Sequence, residues 1–403
     1  MRRLAAVAVP LVSLSLALAT VASAFTGANG WIALGGATID ESGNPGPLVP
    51  AGSRFAPDGR RLAYVDASGN VVVARVDGSG ASSTFPIGVA AVGAWSPDAT
   101  RLVVIAPYGD TRGRAAILDV YSGALRSWKL TREDQMTIGL GPFAWSPDGR
   151  RIAFATNGDR EGEIWIARPD GSRRRSLLID VPVTGLSWSP SGARFVFGDS
   201  YGDYIGLSSY IATASASGGD VRVLRSESSL IDDLRTPVWS PDGSKIAFSF
   251  VHFHQYLPPP GVVPSPDDVW VMKPDGTLAT AIPGGPRNGV PGDWQPRCTI
   301  LGTDGADTLV GTPGRDLICA GAGSDTIYAR GGNDVVFSGR GGDRVFGGGG
   351  KDVLVGGPGK DRLVGRAGAD FLSARGFGAD YLSGGRGVDL CRRDTSDQTR
   401  SCP

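Results

Sequence analysis

Gly347-Gly-Gly-Gly-Lys-Asp-Val-Leu-Val355 is followed without a break by Gly356-Gly-Pro-Gly-Lys-Asp-Arg-Leu-Val364. Both fit one nine-residue unit, Gly-Gly-x-Gly-x-Asp-x-apolar-x, and the unit extends in both directions. Ten aspartates, Asp307, Asp316, Asp325, Asp334, Asp343, Asp352, Asp361, Asp370, Asp380 and Asp389, recur at nine-residue intervals, with a one-residue slip between Asp370 and Asp380. A glycine stands two residues before each (Gly305, Gly314, Gly323, Gly332, Gly341, Gly350, Gly359, Gly368, Gly378, Gly387). An apolar side chain stands two residues after: Leu309, Ile318, Ile327, Val336, Val345, Leu354, Leu363, Leu372, Leu382 and Cys391. Glycine turns alternating with short strands at a fixed period describe a solenoid whose equivalent strands stack.

Composition changes sharply near residue 298, and a longer repeat lies upstream. Phe55-Ala-Pro-Asp-Gly59, Trp95-Ser-Pro-Asp-Ala99, Trp145-Ser-Pro-Asp-Gly149, Trp188-Ser-Pro-Ser-Gly192 and Trp239-Ser-Pro-Asp-Gly243 are spaced by 40, 50, 43 and 51 residues. Each precedes a short apolar strand: Arg61–Val65, Arg101–Ile105, Arg151–Ala155, Arg194–Phe197 and Lys245–Ser249. Pro presets φ and Gly accepts positive φ, so the motif makes a tight turn in which Asp58, Asp98, Asp148 and Asp242 are turn formers. Third strands are expected near 71–75, 115–120, 163–167, 210–213 and 268–272, several followed by Asp-Gly hairpin turns at 77–78, 170–171 and 275–276. Periods of this size with several strands each indicate propeller blades.

Residues 29–297 resemble the WD-repeat-like propellers of the TolB C-terminal type, whose signature is Trp-Ser-Pro-Asp-Gly followed by an Ile-Ala-Phe strand. Gly30-Trp-Ile-Ala-Leu34 reads as a second strand lacking its first, and Gly292-Asp-Trp-Gln-Pro296 as a first lacking its second. The two are expected to pair and close a six-bladed ring. About thirty residues separate the strand at 30–34 from the next equivalent one, so outer strands there are expected to be thin or absent.

The nine-residue repeats resemble hemolysin-type, or RTX, repeats. The resemblance implies a parallel β-roll in which two repeats make one coil. It further implies calcium held by the aspartate carboxylates and by backbone carbonyls near Gly305, Gly314, Gly323, Gly332, Gly341, Gly350, Gly359 and Gly368. One row of sites would run through Asp307, Asp325, Asp343 and Asp361, the other through Asp316, Asp334, Asp352 and Asp370, over five coils. Several ions with a structural role are expected. Departures include Thr303-Asp-Gly305 and Ala329-Arg-Gly331 at repeat openings, and Arg315, Lys351 and Lys360 before the aspartate, which weaken some sites. From Cys298 to Pro403 there are thirteen acidic and thirteen basic residues. The slip at Arg375-Gly-Phe-Gly-Ala379 is expected to make Asp380 and Asp389 the weakest ligands. The alternative is a metal-free solenoid held by its apolar ladder and disulfides.

Arg2 and Arg3, an apolar run from Leu4 to Ala19 and Val21-Ala-Ser-Ala24 have the order of a secretory signal over residues 1–24. The mature chain is expected to begin near Phe25, to lack a membrane span, and to be extracellular, either free in the medium or associated with the cell surface. The four cysteines, Cys298, Cys319, Cys391 and Cys402, have no CxxC spacing, which favours disulfides over thiolate metal sites. Three connectivities are possible. Pairing Cys298 with Cys319 and Cys391 with Cys402 would staple each end of the solenoid, where a coil lacks a neighbour.

The whole reads as an all-β chain: propeller over 25–297, roll over 298–403, and too little linker for independent movement. Forty basic and forty acidic residues give no case for a nucleic-acid partner. His252 and His254, the only histidines, alternate along a strand and lack an evident third ligand. No phosphate loop or His-Glu-x-x-His is present. A binding or scaffold protein is therefore expected, with an unknown protein or glycan ligand at propeller loops. Contact candidates are Tyr201, Tyr204, Tyr210 and the insertion Leu257–Asp267, whereas Arg173-Arg-Arg175 reads as a solvated turn. The rival reading is a secreted polysaccharide hydrolase or lyase with its site in the propeller channel.

Overall fold

The computed structural model describes residues 29–34, 37–40, 42–79, 82–105, 114–129, 139–157, 162–179, 183–201, 208–227, 232–252, 268–282, 291–296, 298–374 and 378–402. Structural statements concern these residues. The expected signal at 1–24, Tyr204, His254 and the 257–267 insertion lie outside them. Every named element is a β-strand, and no helix among the described residues is long and apolar enough to cross a membrane.

Five antiparallel sheets of four strands begin at Arg54–Phe55, Ala91–Trp95, Gly139–Trp145, Val183–Trp188 and Asp232–Trp239. A sixth is built from both ends of this region: Asn29–Leu34 pairs with Ala37–Ile39 on one side and Pro291–Pro296 on the other, placing Ile32 opposite Trp294. This is the six-bladed ring, with the closing blade reduced to three strands as its short spacing implied. Closure joins distant segments through a β-ladder, so the ring cannot open without losing those hydrogen bonds.

The repeated turn forms as its residues dictate. Gly149 donates to the Ser146 carbonyl and Ser146 to the Arg151 carbonyl, each at 2.8 Å. Gly59, Gly149, Gly192 and Gly243 take φ between 66° and 76°, the left-handed region that glycine enters without a Cβ penalty. The Asp148 carboxylate accepts from Ser146 Oγ and Arg150 N, and Asp242 repeats the arrangement with Ser240 and Ser244. The arginines after the first three turns also reach the next blade: Arg61 lies 5.6 Å from the Trp95 ring centre, Arg101 4.7 Å from Trp145 and Arg151 5.1 Å from Trp188. Such contacts contribute roughly 0.5–1 kcal/mol each at partly exposed sites, so the turn motif cements neighbouring blades as well as folding its own.

The C-terminal region is a solenoid of two six-stranded parallel sheets. Strands eighteen residues apart pair in register, Ile318 with Val336, Leu354 and Leu372 in one sheet, and Ile327 with Val345 and Leu363 in the other. These side chains are fully buried between the sheets. Disulfides join Cys298 to Cys319 and Cys391 to Cys402, with Cα atoms 5.9 and 5.7 Å apart, one at each end.

Coil stacking is limited by backbone approach at the glycine before each aspartate. A Cβ at Gly350, where φ is 127°, would lie 1.7 Å from the Gly332 carbonyl oxygen of the preceding coil, whereas one at Gly349 meets nothing within 4 Å. Gly350→Ala should therefore destabilise the roll by about 3 kcal/mol or more, while Gly349→Ala stays within about 0.5 kcal/mol of wild type. Thermal unfolding of the two variants checks the contrast; equal melting temperatures would refute it.

Candidate metal centre

The aspartates form two hydrogen-bonded ladders, one along each edge where glycine turns enter a sheet. In the first, the backbone N–H of Asp307 donates to Asp325 Oδ1 at 2.8 Å, Asp325 to Asp343 at 2.8 Å, Asp343 to Asp361 at 2.9 Å and Asp361 to Asp380 at 2.7 Å. In the second, Asp316, Asp334, Asp352 and Asp370 donate to Asp334, Asp352, Asp370 and Asp389 at 2.8 to 3.0 Å. Both ladders run through the slip, and Asp380 and Asp389 have the geometry of their predecessors.

One member was missed. Asp380 N donates to Asp397 Oδ1 at 3.1 Å, and Gln398–Arg400 continues the sheet beside Tyr381–Ser383. Asp397 lies thirty-six residues after Asp361, two full coils, so counting coils across the slip would have found it.

These bonds occupy one oxygen of each carboxylate. The other, Oδ2, is buried without a hydrogen-bond donor in Asp325, Asp334, Asp343, Asp352, Asp361, Asp370 and Asp389. Burial pushes Asp334 and Asp352 up to about 6, Asp370 to about 7 and Asp361 to about 8, against the opposing backbone N–H; neighbouring ladder aspartates add to the rise. Asp380 rises to about 6, and Asp325 and Asp343 move in the same direction, for the same first cause. A buried carboxylate with no partner is costly, and an adjacent cation removes the cost.

The ladder ends differ. Asp307 Oδ2 accepts from Thr303 N and Oγ1 at 2.7 and 2.9 Å, and Asp316 Oδ2 from Thr312 N and Oγ1 at 2.6 and 3.0 Å. Asp397 Oδ2 accepts from Asp394 N. The threonines that break the glycine pattern in the first two repeats thus satisfy the carboxylates of the terminal coil.

The interior residues fit a hard cation that prefers oxygen. Among the described residues no three His, Cys, Asp or Glu side chains converge on one point, so backbone carbonyls must complete any site, as calcium accepts. The repeat-opening glycines keep the space beside Oδ2 clear. A Cβ at Gly347, Gly356, Gly365 or Gly384 would fall 2.3 to 2.4 Å from Oδ2 of Asp352, Asp361, Asp370 or Asp389.

The second ladder faces the propeller. Cys319, Phe337 and Val355 share an apolar cluster with Ala56, Ala99 and Val120, and the turn prolines Pro57, Pro97, Pro147, Pro190 and Pro241 line the cavity on this side. Polar contacts surround the cluster: Arg60 donates to the Cys319 carbonyl, Arg392 to the Gly149 carbonyl at 2.9 Å, Ser373 to Asp98 at 3.1 Å and Arg315 to the Pro241 carbonyl at 3.1 Å. Asp98 is therefore more than a turn former. A cavity of about 1250 Å³ runs from the propeller channel to this sheet, lined by Trp145, Trp188 and Trp239 on one side and Arg315, Lys351 and Asp352 on the other. The basic residues that depart from the repeat at Arg315 and Lys351 thus face the cavity.

Other candidates resolve less sharply. His252 ends the strand Ile246–His252 and pairs across to Asp232. Tyr210, expected as a loop contact, instead packs edge-on against Phe197, and burial together with a hydrogen bond to Asp199 holds its hydroxyl above its usual range. A strand position packed against the preceding blade explains the correction. Arg173, Arg174 and Arg175 are exposed, in keeping with a solvated turn.

Comparison with known proteins agrees with this division. Residues 301–336, 337–372 and 376–391 match the RTX calcium-binding nonapeptide repeat family. Uncharacterized protein Atu1656 of Agrobacterium fabrum is 29% identical over 162 residues, which is 38% of this chain and 52% of that protein, so the match spans about half the relative's length. Among solved structures, a putative TolB from Agrobacterium tumefaciens has a TM-score of 0.45 at 17% identity, covering 57% of this chain and 79% of that one. An oligogalacturonate lyase from Vibrio parahaemolyticus has a TM-score of 0.41 at 12% identity, covering 57% and 63%. Scores this low carry nothing about activity, and the six blades stand on their own strand pairing. The chain carries RTX calcium-binding repeats behind a six-bladed propeller.

Arg392 tests the docking. Its guanidinium lies 3.9 Å from the buried Asp98 carboxylate and 5.4 Å from the Phe371 ring centre. Arg392→Ala should cost about 2 kcal/mol through the orphaned Gly149 carbonyl and Asp98. Limited proteolysis should then cut between propeller and roll faster than in wild type; an unchanged cleavage rate and melting temperature would count against a fixed junction.

Proposed function

We propose that this is an exported, non-enzymatic calcium-binding protein. In this reading the propeller (25–297) is a scaffold or recognition module, and the roll (298–403) binds several structural calcium ions. The observation that carries it is the set of seven buried Oδ2 atoms without donors, repeated at coil spacing along two edges. The interior aspartates Asp325, Asp334, Asp343, Asp352, Asp361, Asp370 and Asp389, with Asp380 in register, would hold the ions together with carbonyls of the glycine turns. Asp307, Asp316 and Asp397 would serve as end caps, because their Oδ2 atoms already accept hydrogen bonds. Bound calcium supplies the positive charge that lets these carboxylates stay ionised inside the fold.

Export is supported by the signal-like segment at 1–24 and by two disulfides, which persist in oxidising surroundings. A roll that completes its folding only on meeting calcium outside the cell suits that route. Recovery from the medium of a chain starting near Phe25 would support it; retention of residues 1–24 in the membrane fraction would not. The partner is a protein or glycan engaging propeller loops, since the roll occupies the face that carries the repeated turns.

Calcium titration of the full chain should give several bound ions and a higher melting temperature, both abolished by chelator. Identical stability in chelator with no ions bound would overturn the proposal. Asp352→Asn should lower the stoichiometry by about one ion, and Asp316→Asn should leave it unchanged.

The pH dependence should change sign with metal. A carboxyl whose pKa is raised by folding keeps its proton more firmly in the folded state, so without metal it favours folding at low pH. That contribution is lost as pH rises from about 4 in the unfolded chain through values of about 6 to about 8 in the fold. In chelator the roll should therefore melt higher at acid than at alkaline pH. In saturating calcium, protons compete with the metal and the order should reverse. Calorimetry across that range with and without calcium checks both arms.

A further inference from the structure

The roll has two outward faces of opposite character. Outward positions of the propeller-facing sheet are mostly apolar, as in Leu317, Val335, Phe337 and Val353, and they are covered. The other sheet turns away from the propeller and exposes Arg330, Arg344, Arg362, Arg366, Arg386 and Arg400. Arg344 and Arg362 are in-register neighbours on adjacent strands, roughly 4.8 Å apart along the roll. Beside them Tyr328 stacks on Phe346 with ring centres 5.1 Å apart and planes 8° from parallel. Arg366 lies 5.3 Å from the Phe346 ring centre and Arg362 4.5 Å from that of Tyr381. The aromatics hold two of the guanidiniums in place, which lowers the entropy lost when they bind.

The charge balance of the roll is deceptive. Of its thirteen acidic residues, all but Asp304 and Asp394 belong to the two ladders, and there is no glutamate. Once the eight interior carboxylates are neutralised by cations, thirteen basic residues remain against five acids, Asp304, Asp307, Asp316, Asp394 and Asp397. The open sheet is then a flat array of positive charge.

We propose that this sheet is a docking surface for an acidic polysaccharide. The inference rests on calcium occupancy of the ladders for its full charge. A linear glycan bearing carboxylates at regular intervals matches in-register arginines, whose planar forks pair with carboxylates bidentately. Nucleic acid fits less well. Tyr328 and Phe346 turn their ring faces to each other, so they do not present the open platforms on which bases stack.

The test uses the full chain in calcium, at about 0.15 M salt, with a linear glucuronate octamer, the neutral glucose octamer and a single-stranded DNA of equal charge. Calorimetry should show binding of the glucuronate octamer only, or at least about tenfold tighter than either control. The double variant Arg344→Glu, Arg362→Glu should weaken it at least about tenfold with calcium stoichiometry unchanged. Should that variant misfold, Arg344→Gln with Arg362→Gln should weaken binding about threefold. Affinity that survives both substitutions, equal binding of the glucose octamer, or DNA binding as tightly as the glucuronate would each overturn the proposal. Calcium binding with no glycan binding would sink this inference alone and leave the ladders standing.

Discussion

A carboxylate buried every nine residues is the constraint around which the C-terminal roll is organised. One oxygen of each interior aspartate is tied to the backbone of the preceding coil, which fixes coil spacing and register together. The other is shut away from water with no donor. Hydrogen bonding alone cannot complete such a structure, because the remaining lone pairs face a region from which solvent and protein donors are both excluded. The fold becomes comfortable only when the carboxyl groups keep their protons or share a cation. The glycines follow from the same demand, since only residues without a Cβ let successive turns approach closely and leave room beside Oδ2.

The ends of the ladders show the same physics in reverse. Where no further coil continues the stack, Thr303, Thr312 and the Asp394 amide supply donors to the terminal carboxylates. The disulfides sit at these same ends, where parallel strands lack a neighbour on one side. The Cys298–Cys319 sulfurs also lie 3.6 and 3.7 Å from the Asp58 carbonyl, so the staple that closes the first coil touches the propeller as well.

Coupling between propeller and roll comes from an economy of motif. The turn that makes each blade presents its carboxylates and carbonyls on one face, and the roll is seated on that face through Arg60, Asp98, Gly149 and Pro241. The two ladders are consequently unequal. Asp334, Asp352 and Asp370 look into the channel cavity, whereas Asp325, Asp343 and Asp361 border a separate outward groove. Ions along the propeller-facing ladder would sit within the junction and those along the other would exchange with solvent, so one repeat serves both assembly and the exposed surface.

Periodicity determined a great deal unaided. The nine-residue recurrence of Asp307 to Asp389 and the five turns from Phe55 to Trp239 specify coils and blades because each unit is a local strand-turn arrangement whose geometry its own residues dictate. The pairing of Trp31's strand with Trp294's was legible too, since each half-blade visibly lacked its complement. What the chain alone left undecided depends on neighbours far apart in sequence. Asp397 was hidden by the slip, Tyr210 by the blade that covers it, and the threonine caps by their look of imperfect repeats. Overall neutrality concealed the basic sheet, because burial removes most of the acids from the surface while leaving the arginines on it. Only the packing of roll against propeller decides which ladder is enclosed and which face stays open. The apolar outward positions Leu317, Val335 and Val353 and the basic ones Arg344 and Arg362 were visible in the sequence, but their meaning requires a second body against which one face can be buried.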